Sequence, residues 1–259
     1  MFEYLGSILV DFLRNIYRMV RVMSIAFTSL IFSFSVGRRP KLNILYKQVY
    51  FTGIEAFAII FWLALIFGII IVTQAISILP KLGGERFIGQ IMVWVVIREL
   101  GPLFAAIIVI ARSGTAIASE LGSMKVNNEI AALEVMGINP DDYLLMPRVI
   151  GVTISIFVLT FYFEAVTILG GYLLAGFGER MAFDEYTSSI FNAMGFLDVG
   201  VSMLKSLLFG LIIGSICTYH GLRVGRSITE IPQETTKAVI GSFFMVFVVD
   251  AVVTGIFFA

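Results

Sequence analysis

The sequence predicts an all-α integral membrane protein, with an N-terminal interfacial amphipathic helix followed by five transmembrane helices. Two observations support this prediction. Hydrophobic residues make up 59% of the 259 residues and charged residues only 14%, whereas soluble domains are about a quarter charged. The apolar residues also form continuous runs long enough for membrane helices, which need roughly 20 residues each. Because these runs do not alternate with a period of two, the pattern argues against a transmembrane β-barrel.

The first 48 residues are predicted to form the interfacial amphipathic region. Within residues 2–26, Arg14, Arg18 and Arg21 fall on one helical face, and apolar side chains cover much of the rest. Such a helix lies in the membrane interface with its cations among the headgroups. A sixth, weakly hydrophobic span is the alternative, but three arginines within two turns are costly in hydrocarbon.

Residues 49–259 are predicted to form the transmembrane domain. The five apolar segments are Ile54–Leu79, Ile88–Ala111, Val149–Phe177, Val199–Leu222 and Ala238–Ala259. Most of the 18 lysines and arginines lie on the side that holds the N-terminus, and such an excess marks the cytoplasmic side. We therefore expect a cytoplasmic N-terminus, an outer C-terminus and a cytoplasmic connection over residues 112–148.

Ionisable side chains interrupt the predicted spans, and they are Arg98, Glu99, Glu164, Lys205 and Asp250. A lone ionised group at mid-membrane costs at least ~2.5–3.5 kcal/mol, so these groups must pair or face water. At about 1.5 Å per residue, Arg98, Lys205 and Asp250 lie at similar depths, roughly 9–15 Å below the outer helix ends. We expect Glu99 and Asp250 to compensate Lys205. Arg98 would then be available to a cavity or an anionic ligand.

Two interpretations of this charge network stay open. In one, Arg98 and Glu99 bind substrate, and Lys205, Asp250 and Glu164 form the network around them. In the other, the ion pairs only fix helix packing, since buried pairs often set specificity more than they stabilise. Gly101-Pro102 lies just after the charged pair Arg98-Glu99. Because proline removes a backbone hydrogen bond, it can break a helix, and a break there would suit a binding site.

The fourth predicted span carries a ridge of small residues at every fourth position: Ser202, Ser206, Gly210, Gly214 and Thr218. Such a ridge lets another helix approach closely, either within the chain or in a dimer. His220 and Cys217 lie at the inner end of this span, without a second His or Cys cluster to support a zinc site. We therefore expect a hydrogen-bonded histidine, no metal site and no cofactor.

The connection between the second and third predicted spans is predicted to contain a short helix over residues 127–136. Its apolar positions at helical spacing are Ile130, Leu133 and Met136. Gly137 is expected to end the helix, and Asn139-Pro140 to form a turn. An exposed apolar stripe of this kind either fills a groove in a soluble partner or lies on the bilayer.

Four stretches give the sequence a specific resemblance. They are Arg98-Glu99-Leu100-Gly101-Pro102, the block from Ser119-Glu120-Leu121-Gly122 to Met136-Gly137, Thr218-Tyr219-His220-Gly221 and Thr235-Thr236-Lys237-Ala238-Val239. From about residue 45 onward the chain closely resembles the MlaE family of ABC-transporter permeases. Residues 226–234 depart from the resemblance, because many relatives have a glycine-rich stretch there.

The resemblance implies a permease subunit that moves phospholipid between the inner and outer membranes of Gram-negative bacteria, and a location in the bacterial inner membrane. It also implies a homodimer, a cytoplasmic MlaF-type ATPase and a MlaD-type MCE protein on the periplasmic side, with a MlaB-type STAS protein as a further candidate partner. The family's coupling helix maps onto residues 127–139. The positions implied to couple to the ATPase are Glu129, Leu133, Met136, Gly137 and Pro140.

Other function classes are weighed against this one. The chain has no Gly-x-x-x-x-Gly-Lys-Ser/Thr loop to bind a nucleotide, so we expect no enzyme activity of its own, and a partner chain would hydrolyse ATP. An ion-coupled secondary transporter of an amphipathic or anionic substrate would use Glu99, Glu164 and Asp250 as ion sites, but the inverted repeats that favour this class are not evident. A lipid-modifying enzyme would need a nucleophile–base pair or a metal cluster, and neither is evident. The net charge of zero gives no argument for a nucleic-acid partner.

Overall fold

The computed structural model describes residues 38–78, 87–175, 182–225 and 227–258, and these contain helices and turns without a strand. The described helices are α1 Arg38–Thr52, α2 Phe57–Ile78, α3 Ile88–Val126, α4 Glu129–Val135, α5 Asp141–Leu173, α6 Phe183–Ala193, α7 Phe196–Arg223 and α8 Glu230–Phe258. The all-α prediction is confirmed. The predicted interfacial helix within residues 2–26 lies outside the described residues.

Five helical stretches of the described chain are long and apolar enough to cross a membrane, as predicted. The first joins α1 to α2 through one 3-10 turn at Ile54–Ala56, and the others are α3, α5, α7 and α8. Since α4 and α6 connect successive spans, they lie at opposite ends of the bundle. We call the α4 end inner and the α6 end outer, after the predicted orientation.

Several helices extend past the apolar segments that predict them. α3 continues beyond Ala111 to Val126, and α5 already begins at Asp141 instead of Val149. Buried Ile117, Ala118 and Leu121 explain the first extension, because tertiary packing stabilises a helix beyond its most apolar part. The predicted long inner connection is therefore mostly helical, and only α4 and its flanking turns separate the two spans.

α7 is the central helix, and it packs against α3, α5 and α8. A Cβ atom on Gly210 would lie 2.4 Å from Thr153 Cα, and one on Gly214 would lie 2.8 Å from Val149 Cα. Thr153 and Val149 both belong to α5. The predicted ridge of small residues is therefore a close contact within the chain.

Substituting Gly210 tests this contact. We expect Gly210→Ala to destabilise the folded chain by about 1–3 kcal/mol, because the added methyl group overlaps the α5 backbone. The measurement is the midpoint of thermal unfolding in detergent. Gly200→Ala is the matched control in the same helix, since its Cβ would meet no atom within 4 Å. Equal midpoints for the two variants would contradict the close contact.

At the inner end, two of the motif stretches meet. A Cβ on Gly221 would lie 2.8 Å from Leu121 Cβ, so the glycine allows α7 to touch α3. His220 Nδ1 is hydrogen-bonded to Glu234 Oε2 at 2.8 Å, and Lys237 Nζ donates to the other oxygen of this carboxylate at 2.7 Å. The prediction of a hydrogen-bonded histidine is confirmed, and the contact ties the start of α8 to the end of α7.

Within the stretch over residues 226–234, residues 230–234 form the beginning of α8, which starts at Glu230. The Glu230 carboxylate accepts a hydrogen bond from the backbone N–H of Gly225 at 2.7 Å. This contact links the residues just after α7 to the first residue of α8.

Candidate functional site

Charged side chains from three spans meet around Lys205, in the outer half of α7. The Lys205 side chain is fully buried, and its ammonium lies 3.0 Å from Glu99 Oε2 of α3 and 2.8 Å from Asp250 Oδ1 of α8. The prediction that these two carboxylates compensate Lys205 is confirmed. We call Lys205, Glu99, Asp250 and Thr254 the Lys205 cluster.

Lys205 also satisfies a backbone group of α3. Pro102 has no N–H, so the carbonyl of Arg98, four residues earlier, lacks its α-helical hydrogen bond. Lys205 Nζ donates to this carbonyl oxygen at 2.9 Å. α3 changes its hydrogen-bonding pattern at Gly101-Pro102: the preceding residues Val93–Leu100 are π-helical, and the helix then continues to Val126. Such wide turns are frequent at functional sites.

A hydroxyl completes the Lys205 cluster. Thr254 lies one turn after Asp250 on the same face of α8. It accepts a hydrogen bond from Lys205 Nζ at 2.8 Å and donates one to Glu99 Oε1 at 3.0 Å. The ammonium thus places its three N–H donors on a carbonyl, a carboxylate and a hydroxyl, and the Asp250 carboxylate adds a second negative charge. Burial of a charge requires this degree of compensation.

The Arg98 side chain points away from the Lys205 cluster, toward the outer ends of α7 and α8. Its Nε donates to Asp198 Oδ1 at 2.6 Å, and its guanidinium carbon lies 3.9 Å from the ring centroid of Phe258 and 5.6 Å from that of Trp94. Arg98, which we expect to be available to a cavity or an anionic ligand, thus has an acidic protein partner at Nε. A long arginine side chain can extend along apolar surface to reach a polar partner, and here that partner is Asp198 in the first turn of α7.

Sequence reasoning does not identify Asp198, because it lies just outside the predicted fourth span. The available signal is Gly195-x-x-Asp198 before an apolar run, since an acidic residue in the first turn stabilises a helix start. In the structure, Asp198 Oδ2 accepts a hydrogen bond from the Gly195 N–H at 2.8 Å. Asp198 therefore caps α7 with one oxygen and holds Arg98 with the other.

Glu164 of α5, which was assigned to the same network, has a separate environment. Its Oε1 accepts a hydrogen bond from Ser202 Oγ at 2.7 Å. A Cβ on Gly101 would lie 2.6 Å from Glu164 Cγ, so Gly101 makes room for this side chain. In the described ranges, no group of three or more His, Cys, Asp or Glu side chains is placed to hold a metal ion.

The second predicted region, α4, lies at the inner end between two residues of positive φ, Asn128 at 59° and Gly137 at 74°. Gly137 ends the helix as predicted, because a left-handed conformation is easy for glycine. Glu129, at the start of α4, is exposed, and Pro140 immediately precedes α5. A residue with positive φ thus stands at each end of the short helix.

The apolar surface of α4 differs from the predicted stripe. Ile130 is buried and Leu133 is half-buried against the core, so these two residues anchor α4 to the bundle. Met136 is 65% exposed and Val135 is 89% exposed. The exposed apolar surface is therefore the C-terminal tip of α4, formed by Val135 and Met136.

The chain is similar to known proteins over a range that includes both the Lys205 cluster and α4. Residues 45–256 match the family model described as Permease MlaE. A probable ABC transporter permease protein of Rickettsia typhi is 28% identical over 217 residues, which cover 84% of each chain. The intermembrane phospholipid transport system permease protein MlaE of Haemophilus influenzae is 26% identical over 258 residues, covering 98% of this chain and 96% of that protein. The chloroplastic protein Trigalactosyldiacylglycerol 1 of Arabidopsis thaliana is 30% identical over 212 residues, covering 82% of this chain and 61% of that protein.

Proposed function

Because the chain belongs to the MlaE permease family, we propose that it is the permease subunit of an ABC transporter that moves phospholipid between two membranes. The observation that carries the choice of substrate is the position of Arg98. Its side chain is 23% exposed at the outer end of the bundle, with the guanidinium next to the aromatic rings of Trp94 and Phe258. A cation beside apolar surface suits an amphiphile with an anionic headgroup.

Arg98 would bind the lipid phosphate, and Glu99 would contact the headgroup beside it. Asp198 accepts the hydrogen bond from Nε of Arg98. The two terminal nitrogens of the guanidinium would therefore donate charge-assisted hydrogen bonds to the phosphate oxygens. Acyl chains would lie against apolar walls, and each methylene removed from water contributes about 0.8 kcal/mol. The Lys205 cluster would hold α3, α7 and α8 at fixed positions below this site.

ATP hydrolysis would take place on a partner chain. We propose a homodimer in the bacterial inner membrane with its N-terminus in the cytoplasm, bound to a MlaF-type ATPase on the inner side and a MlaD-type MCE protein on the outer side. A MlaB-type STAS protein would attach to the ATPase. Glu129, Leu133, Met136, Gly137 and Pro140 would form or position the ATPase contact, with Met136 as its exposed apolar group.

Met136→Asp tests this contact. A charge in the centre of an apolar contact is expected to weaken co-purification of the ATPase at least tenfold, because the carboxylate would be desolvated without a partner. Pull-down of a tagged permease with quantified ATPase measures the effect. Ile228→Asp is the matched control, since Ile228 is also an exposed apolar residue at the inner end, 70% exposed. Equal recovery of ATPase with Met136→Asp and with the unaltered chain would contradict the role of α4.

The proposed function itself is tested by purifying the chain from its host membrane. The expected result is co-purification of an ATPase, with phospholipid identified by mass spectrometry of the extract. In proteoliposomes containing the assembled complex, lipid transfer should require ATP and be insensitive to a proton ionophore. Transfer that follows a proton gradient without ATP would overturn the proposal in favour of an ion-coupled secondary transporter.

A further inference from the structure

We propose that a groove between α1, α3 and α5 binds the phosphodiester headgroup of a phospholipid from the leaflet at the inner end of the bundle. The groove encloses a cavity of about 650 Å³. Its lining combines charged residues, among them Lys47, Glu120 and Arg148, with apolar residues that include Ile44, Phe51 and Met124. The groove lies at the opposite end of the bundle from Arg98. The proposal that it binds a headgroup does not depend on the proposed transport function.

The groove crosses the level of the lipid headgroups. At the end of the groove nearest the hydrocarbon, the Phe51 carbonyl accepts a hydrogen bond from Arg112 Nη1 at 2.7 Å. Because Arg112 directly follows the apolar segment Ile88–Ala111, Phe51 lies beside the end of that segment. Glu120 lies eight residues after Arg112 in α3, and therefore roughly 12 Å further toward the aqueous side. The headgroup layer is about 5–8 Å thick on each side of the hydrocarbon. The groove therefore extends from the hydrocarbon edge through the headgroup layer.

The charges of the groove favour an anion. Arg148 is buried, with 5% exposure, and its guanidinium donates to Glu120 Oε1 and to the Leu144 carbonyl, both at 2.9 Å. This pair is neutral as a unit. Lys47 is an exposed cation in the same lining, and in the ranges that the structure describes it has no carboxylate partner. The lining thus has a net positive charge, supplied by Lys47.

The apolar wall distinguishes a lipid from a free anion. Phe51 forms the apolar wall of the cavity at the hydrocarbon edge, where a phospholipid carries its glycerol and first methylenes. Lys47 lies one turn earlier in α1, roughly 6 Å further toward the aqueous side, and Ile44 and Met124 lie beyond it. A free phosphate ion would contact only the charged side. An apolar ring at the hydrocarbon edge and a cation one helical turn further out match an amphiphile, since each contacts one part of the same molecule.

The test uses the full chain in nanodiscs of phosphatidylcholine with increasing fractions of phosphatidylglycerol. A photo-crosslinking benzoylphenylalanine replaces Ser123, a polar residue of the lining, so that lipid adducts detected by mass spectrometry report on this groove and not on Arg98. The yield of phosphatidylglycerol adducts is expected to reach a plateau as the fraction of phosphatidylglycerol in the nanodisc increases. Lys47→Ala should weaken the apparent affinity about fivefold, the effect of one cation at an anionic lipid surface. Lys125→Ala is the matched control, because Lys125 is an exposed lysine of α3 outside the lining.

A second variant separates occupancy from charge. Ser119→Trp fills the cavity without changing the charge and should abolish the lipid adduct while the thermal unfolding midpoint is retained. Unchanged adducts in both Lys47→Ala and Ser119→Trp would overturn the proposal. So would an adduct formed with residues 1–37 of the same chain instead of lipid. Competition by millimolar inorganic phosphate would also overturn it, because it would identify a site for the free anion.

Discussion

Lys205→Met is expected to destabilise the folded chain by about 3–5 kcal/mol, because it leaves two carboxylates in the bundle without their cation. Glu99 and Asp250 would face each other unpaired, and the Arg98 carbonyl would lose the donor that replaces the missing N–H of Pro102. The measurement is the midpoint of thermal unfolding in detergent, together with the fraction of monodisperse protein. Methionine is chosen because it keeps most of the side-chain volume.

Two further variants isolate the electrostatic part of this effect. Lys237→Met removes an exposed lysine that is also paired with a carboxylate, and should cost less than about 1 kcal/mol because water screens that pair. Adding Glu99→Gln and Asp250→Asn to Lys205→Met removes the buried negative charges and should recover part of the lost stability. If the triple variant is as unstable as Lys205→Met alone, charge imbalance does not explain the loss.

The pairing of Lys205 could be predicted from sequence because depth along a membrane helix is nearly linear in residue number. Two facts are enough for this prediction: Glu99 and Asp250 lie at nearly the same depth as Lys205, and a buried cation requires counter-charges. The same arithmetic failed for Arg98, because it gives the depth of the backbone and not of the guanidinium. The Arg98 side chain extends outward to Asp198, a residue of the first helical turn.

Periodicity likewise predicted faces but not neighbours. The ridge that includes Gly210 and Gly214 indicated a close helix contact, and only the structure shows that α5 occupies it. In α4 the spacing identified Ile130, Leu133 and Met136 as one apolar stripe, but it could not show that the bundle already covers Ile130. Which part of an apolar face is used internally depends on the packing of distant segments, which a local pattern does not contain.

Arg98→Ala is expected to reduce phospholipid capture about 10- to 100-fold, the factor that corresponds to losing one hydrogen-bonded contact with a charged group. The thermal unfolding midpoint should change less than in Lys205→Met, because the Arg98 side chain is 23% exposed whereas that of Lys205 is fully buried. Lipid retained per purified chain, quantified by mass spectrometry, measures the effect. Arg98→Lys should be intermediate, since it keeps the charge but loses the planar set of donors.

Asp198→Asn decides whether Arg98 binds lipid or only fixes the outer ends of the helices. In a purely structural role, Arg98→Ala and Asp198→Asn break the same ion pair, so lipid capture should fall in both in proportion to their loss of stability. In a binding role, the Asp198 carboxylate competes with the lipid phosphate for one guanidinium. Removing its charge while keeping its shape should then maintain or increase lipid capture, even though α7 loses a charged cap. A loss of lipid capture in Arg98→Ala without a loss in Asp198→Asn is the result expected here, and parallel losses would remove Arg98 from the binding site.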